Sequence, residues 1–338
     1  MPMIRSKPSR TLANQKGFAL ILTLLMISMM VVATLQFNRS VWSELYGASN
    51  LKEAARLGLV ARSGVECAMA VLSEDMAENE VDTLREPWAQ SRTLSLQSTA
   101  LFEQGHFMVE ISDLAGKIQI NQLLDGDGNW NPAKKDLFQR FLLSKSFGLD
   151  SDEVENLMDF IKDWLDPDDA ITRFGAESGY YQGLEPPYAC NNGPVTSLDR
   201  LTLIKGMSEE LVYGTAEKKG IMPYLSVHGD GKININTAGP VVLKALSGEM
   251  NEEMVRDMIS YREDPTNDLA DPKWYQKVPG MDHIVFDADL LTTKSDYFEI
   301  RSTGIMGTME QHLSVSVFRE AGKSIQILQW KAGPEDSK

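Results

Sequence analysis

Residues 18–35 read FALILTLLMISMMVVATL, a run with no charge, no Pro and no Gly. As a helix this run nearly crosses the hydrocarbon core of a bilayer, and Gln36 and Phe37 carry it into the interface. Farther on, Trp42, Leu45, Leu51, Ala55, Leu59, Ala61, Val65, Ala68 and Leu72 keep a helical spacing. The pattern predicts one helix of about 55 to 60 residues, about 85 Å long, half in lipid and half beyond it. A polar, Pro-containing stretch over 74–97 ends it. Apolar and polar residues then alternate over 106–111, with a second strand-like run at 117–121. Near the other end 297–302, 313–318 and 324–329 alternate in the same way. These runs predict an antiparallel sheet with one face covered by the long helix, an α+β architecture.

Between the two groups of strands lies a helical insertion with an internal repeat. Gly116-Lys117-Ile118-Gln119-Ile120-Asn121 recurs as Gly231-Lys232-Ile233-Asn234-Ile235-Asn236. Each copy leads into two predicted helices, 137–147 and 151–165 in the first, 240–246 and 251–261 in the second. Each pair runs into an acidic Asp-Pro loop, Asp166-Pro167-Asp168-Asp169 or Asp264-Pro265, and strand-like stretches at 223–227 and 297–300 close the copies. Two related helical modules packed side by side are expected. Asn236 or Thr237 is placed to cap the helix that follows.

Charge adds an orientation. The formal net charge is −15, yet Arg5, Lys7, Arg10 and Lys16 stand in the first seventeen residues without an acid among them. Subtracting those four positive charges leaves −19 on the rest. Basic residues before an apolar span and an acidic body after it place the front in the cytoplasm and the body outside. An acidic body repels polyphosphate. Cys67 and Cys190 are compatible with one disulfide in an exported body, or with Cys67 as a small buried hydrophobe, and the sequence leaves both open.

No small-residue cleavage site closes the apolar run, as an ordinary signal peptide would require. The unusual junction lies before it, at Gln15-Lys16-Gly17-Phe18. Taken alone, the segment also suits a simple anchor and stalk. With the amphipathic continuation, the junction resembles the leader of type IV pilins and type II secretion pseudopilins. The resemblance implies that a prepilin peptidase cuts after Gly17 and methylates the new amino terminus at Phe18. Most members carry Glu at the fifth mature position, where this chain has Leu22. A Glu there can neutralise the buried amine of the subunit above it, since an unpaired charge in hydrocarbon costs several kcal/mol. Leu22 cannot do so, which suits a subunit with nothing above it.

Candidate chemistry is confined to oxygen-rich loops. Asp163, Asp166, Asp168, Asp169 and Glu177 gather carboxylates in one irregular segment, the donor type that calcium takes six to eight at a time. Solvated acids capping helix ends would read the same. Asp125, Asp127, Asn129 and Asp136 approach EF-hand spacing, but Trp130 stands at the glycine position and Asp136 where a bidentate Glu belongs. A turn leading into the next helix accounts for that loop without metal. The 234–238 segment, its helix and Leu246-Ser247-Gly248 resemble a helix-hairpin-helix DNA module, yet Glu249, Glu252 and Glu253 stand where phosphate would sit. The four His lie in separate segments and no nucleophile constellation is visible, so no enzyme is expected.

The leader, Leu22, the duplicated insertion, Asp163-Trp164-Leu165-Asp166-Pro167-Asp168, Gly175-Ala176-Glu177 and the 203–207 and 233–238 segments stand in an order that resembles the general secretion pathway protein K family. That resemblance implies a pilin-like fold: a long helix on an antiparallel sheet, with an insertion of SAM-like or helix-hairpin-helix-like modules. It implies a leader at 1–17, a membrane span at 18–37, a periplasmic helix at 38–75, and sheet regions at 76–121 and 297–330. Modules are expected at 122–228 and 229–296, with a disordered tail at 331–338. It also implies a single-pass inner-membrane protein at the tip of a periplasmic pseudopilus. There, with other minor pseudopilins, it would initiate assembly and support export of folded proteins across the outer membrane. Other implied partners are the major pseudopilin, the inner-membrane assembly platform and the prepilin peptidase, and calcium is the implied ligand of the insertion. The competing reading is a membrane-tethered DNA-binding protein of a competence-type system.

Overall fold

The computed structural model describes residues 15–320 and 324–333, so the expected leader lies outside it except for 15–17. In chain order the elements are helix α1 (Gln15–Glu78), short helix α2 (Arg92–Gln97), strands β1 (His106–Asp113) and β2 (Ile118–Gln119), and helices α3 (Pro132–Leu142), α4 (Ser151–Leu165), α5 (Ser178–Gln182) and α6 (Glu209–Tyr213). Strands β3 (Leu225–Ser226) and β4 (Ile233–Asn234), helices α7 (Pro240–Ala245) and α8 (Glu252–Glu263), and strands β5 (Leu291–Thr292), β6 (Tyr297–Met306), β7 (Met309–Phe318) and β8 (Gln326–Gly333) follow. The chain divides into two compact units at Arg56 and Leu57.

The first unit is helical, and its apolar side chains from Phe18 to Phe37 are exposed. Among the described residues this is the one helix long and apolar enough to cross a membrane. Such an uncovered surface fits a single-pass membrane anchor, because a helix satisfies its own backbone in lipid.

The second unit holds the sheet and the insertion. Leu57, Val60, Ala61, Val65, Ala68 and Leu72 form a buried stripe at three- and four-residue spacing on α1. All of them but Leu57 share a core with Phe107, Val109 and Ile111 of β1, Phe298 and Ile300 of β6, and Leu313, Val315 and Val317 of β7. Alternate residues of each strand therefore face the helix, as the period-2 pattern predicts. The four-stranded sheet is antiparallel in the order β1-β6-β7-β8. Gly307, at φ +63°, opens the two-residue turn between β6 and β7; glycine first suits a hairpin loop that follows the strand twist. That turn extends both strands beyond the expected 297–302 and 313–318.

Helix and sheet approach closely. The Ser302 hydroxyl donates to the Ala61 carbonyl at 2.7 Å. A Cβ on Gly304 would stand 2.7 Å from the Leu57 carbonyl oxygen, and one on Gly64 would collide with the Ser302 hydroxyl. Small residues on both surfaces are thus a steric requirement.

Three expectations need correction. The 117–121 run does not join the main sheet: Ile118 and Gln119 pair parallel with Leu225 and Ser226. Likewise 297–300 belongs to β6, and the strand paired parallel with Ile233 and Asn234 is β5. Alternation alone does not reveal which partner a short strand takes. Finally, Lys331 to Gly333 end strand β8 rather than forming a tail, because they pair with β7; residues 334–338 lie outside the described residues. The insertion itself has one continuous core, with Phe138, Trp164 and Leu201 in the same buried cluster as Leu243, Met258 and Trp274.

A buried polar knot joins the insertion to the helix and sheet. Arg319, just after β7, donates to Asp75 on α1 at 2.7 Å, to the Leu72 carbonyl at 3.2 Å, to Asp82 and to the Ser295 carbonyl. The Ser295 hydroxyl donates to Asp113 at 2.6 Å, and Thr237 and Asn234 of the insertion donate to the same carboxylate. Neither expected cap operates: Gly239 is the N-cap of α7, while Asn236 accepts from the Trp274 indole at 2.7 Å.

The helix–sheet contact can be tested by a pair of substitutions in α1. Gly64→Val should lower stability by about 1–3 kcal/mol or more through overpacking. Gly58→Ala, where nothing lies within 4 Å of the added carbon, should raise it by about 0.5–1 kcal/mol through helix propensity. Urea midpoints of the detergent-solubilised chain separate the two; equal midpoints would contradict this packing.

Candidate metal centre

Helix α4 starts with a capping box, in which Asp150 accepts from the Glu153 amide at 2.8 Å and Glu153 accepts from the Asp150 amide at 2.9 Å. It ends at Leu165, and Pro167 follows two residues later. This framing places Asp163 in the last turn and Asp166 at the C-cap, both facing inwards. The chain then loops out through 167–176 and returns Glu177 to the same place, immediately before α5. Ligand oxygens of Asp163, Asp166 and Glu177 lie within 4.8 Å of one another, and all three residues are buried. A Cβ on Gly175 would collide with the Asp163 carboxylate, so glycine leaves the room this carboxylate occupies.

The three carboxylates are unequally satisfied. Both Asp163 oxygens accept from the Thr172 amide at 3.1 Å. Asp166 accepts from the Lys162 ammonium at 3.0 Å through Oδ2, while its Oδ1 has no hydrogen-bond partner. Neither carboxylate oxygen of Glu177, a side chain only 3% exposed, has a partner. Burial, with the charges of Asp163 and Asp166 behind it, pushes the Glu177 carboxyl up to about 7. Burial likewise raises Asp166, against the pull of Lys162. Buried carboxylate oxygens left without donors are costly. A divalent cation would supply what they lack, and an all-carboxylate set is hard-oxygen chemistry of the calcium type. The residues fit calcium.

Of the five carboxylates that the sequence gathers in this segment, Asp163, Asp166 and Glu177 form the cluster. Asp168 and Asp169 are exposed and serve the loop: Asp168 accepts from the Ala170 amide at 2.7 Å and Asp169 from the Ser178 amide at 3.3 Å. Hydrogen bonds from Ser178 hold the Asp169 carboxyl below its usual range. Asp163 completes the cluster, because a helix end brings the positions three apart to one side. Cys190 is the neighbour that no sequence signal marked. Its thiol donates to the Asp163 carbonyl at 3.6 Å, and burial pushes it up to about 11. Cys67 and Cys190 are both free, so no disulfide forms between them.

The other oxygen-rich loop is a turn. Asp125 accepts from the Asp127 and Asn129 amides at 3.0 and 2.8 Å, Asn131 caps α3, and Asp125, Asp127, Asn129 and Asp136 are exposed and not gathered. A Cβ on its Gly128 would meet Asp166 Cβ at 2.8 Å, so this turn packs against the metal-centre loop without lending it a carboxylate. Among the described residues the one further carboxylate cluster is Asp75, Asp82 and Glu86, where Arg319 already supplies the cation. At the α7–α8 hairpin, Arg140 donates to the Ala245 and Leu246 carbonyls at 2.7 and 3.1 Å, while Glu249, Glu252 and Glu253 are exposed around it. That surface repels phosphate. Gly17, Phe18 and Leu22 lie on the exposed helix of the first unit.

A pH dependence follows for the metal-free chain. A carboxyl whose folded value lies near 7 rather than 4.5 binds its proton more tightly when folded, so stability falls as pH rises between those values. In chelator, Glu177→Gln should flatten this part of the profile of urea midpoint against pH. An unchanged slope would show that Glu177 is not the strained group.

Known proteins resemble this chain in its insertion, along its length and in its fold. A family model described as type II secretion system (T2SS), protein K, matches residues 116–224, which include the whole metal centre. The type II secretion system protein K of Aeromonas hydrophila is 28% identical over 347 residues, covering 95% of this chain and 98% of that protein. The protein K of Pectobacterium carotovorum subsp. carotovorum is 22% identical over 340 residues, with 95% and 97% covered. A chain of the crystal structure of the GspK-GspI-GspJ complex from the enterotoxigenic Escherichia coli type 2 secretion system shares the fold. It aligns with a TM-score of 0.69 over 85% of this chain and 99% of its own length, at 18% identity. The matched insertion and the near full-length relatives make this chain similar to type II secretion system protein K, and they support reading it as a minor pseudopilin of that kind.

Proposed function

We propose that the chain acts at the tip of the type II secretion pseudopilus, as the subunit that enters assembly first and stays on top. The observation that carries this reading is Leu22, an apolar residue five positions into the helix that would begin at Phe18. A subunit without a carboxylate there cannot neutralise the amine of another subunit stacked above it. The prepilin peptidase would cut after Gly17, methylate Phe18, and leave the anchor in the inner membrane with the body in the periplasm. The protein acts by assembly rather than catalysis. Its partners would be other minor pseudopilins, as in the complex that contains the related fold, then the major pseudopilin and the inner-membrane platform. Together they would initiate the filament that supports export of folded proteins across the outer membrane.

Within this role the insertion is a duplicated pair of helical modules. The reading is supported by the recurrent Gly-Lys-Ile segments, each of which forms a two-residue strand in a parallel pair. Calcium held by Asp163, Asp166 and Glu177 would tie the end of α4 to the start of α5 and fix the 167–176 loop between them. The ion supplies charge neutralisation only.

Expressed with its prepilin peptidase and purified from membranes, the mature chain should begin at Phe18 and weigh one methyl group more than the uncapped sequence. Intact-mass spectrometry with amino-terminal sequencing checks both points. A chain that still begins at Met1 would contradict the pilin pathway.

A further inference from the structure

The metal centre holds one cation of its own. Lys162, one turn before Asp166 on α4, places its ammonium 3.0 Å from Asp166 Oδ2 and 2.9 Å from the Thr172 hydroxyl. Thr172 in turn donates its amide to Asp163. The Lys162 side chain is 20% exposed and the Asp166 side chain 1%, so the pair is shielded from bulk water on the carboxylate side. The oxygens without partners, Asp166 Oδ1 and both of Glu177, lie on the part of the cluster that Lys162 does not reach. A cation bound by them would therefore share Asp166 with the ammonium rather than displace it.

We infer that Lys162 sets the calcium affinity of this centre. Three carboxylates and one ammonium carry two negative charges, which a divalent ion brings to neutrality. Without the ammonium the same site would keep a surplus negative charge and hold any cation more tightly. At a separation of about 5 Å, repulsion between the ammonium and a divalent ion is substantial even at an effective dielectric constant of about 20. Partial exposure and rearranged water reduce it to an expected effect of about tenfold in Kd. The benefit of Lys162 lies in the empty state, where it is the sole cation against Asp166 and also pins the loop through Thr172. The residue thus exchanges affinity for a centre that stays folded when the ion leaves. This inference rests on the calcium reading above.

Calorimetric titration of calcium into the full chain in detergent tests it, with thermal unfolding of the same samples. Lys162→Met should bind calcium about tenfold more tightly than the unsubstituted chain, and its Tm in chelator should fall. Lys162→Arg, which keeps the charge, should stay near the original Kd. Glu177→Gln should abolish the heat that the substitutions modulate, assigning it to this centre. Calcium binding with the same Kd in Lys162→Met and the unsubstituted chain would overturn the role of Lys162 while leaving the metal centre standing. Absence of binding in the unsubstituted chain would overturn the metal centre, and this inference with it. If Lys162→Met does not fold in chelator, Lys162→Gln gives the same comparison with a polar side chain in place.

Discussion

The guanidinium of Arg319 is the interaction on which the arrangement of the second unit depends. It is buried, and it reaches α1 through Asp75 and the Leu72 carbonyl, the following loop through Asp82, and the segment before β6 through the Ser295 carbonyl. From Ser295 the network passes to Asp113 at the end of β1 and on to Asn234 and Thr237 of the insertion. Apolar packing fixes the helix on the sheet, but it is non-directional. The hydrogen-bonded charges add direction, because removing one partner leaves the others buried and unmatched. Burial already pushes Asp113 up to about 6, against three hydrogen bonds that lower it. The knot is therefore a constraint on position as much as a source of stability.

The metal centre poses the same electrostatic problem without an arginine. Asp163, Asp166 and Glu177 are as buried as the carboxylates of the knot, yet among the described residues only the Lys162 ammonium pairs with them, and it reaches one of the three. Oxygens without partners remain on Glu177 and Asp166, whereas in the knot every carboxylate has donors. One cluster is complete within the chain; the other keeps buried oxygens without donors, which the proposed calcium ion would satisfy. The difference is what sets a candidate ligand site apart from a structural ion pair among residues of the same type.

Much of this was legible in the chain. The apolar run from Phe18 and the continuing stripe to Leu72 predict a single helix, and strict alternation marks β1, β6 and β7. The α4 segment could be read because its cap, its stripe and Pro167 agree. What could not be read was partnership. Two-residue strands such as β2 and β5 carry too few positions for a pattern to name their neighbours, and Lys331 to Gly333 look polar because β8 is an edge strand. In the acidic segment, composition marked five carboxylates but not which three the fold gathers. Asp168 and Asp169 resemble Asp166 in sequence and differ only in direction, which the Pro167 turn decides. Cys190, distant in sequence from Asp163, carries no local signal at all.

Body and anchor serve one role if the chain works by holding other subunits, and that is the central claim. The most direct measurement is co-purification of the mature, detergent-solubilised chain with the other minor pseudopilins of its own secretion system, followed by mass determination of the assembly. The account predicts a stable stoichiometric complex containing this chain once. A chain that stays alone, or that assembles only with further copies of itself, would contradict it.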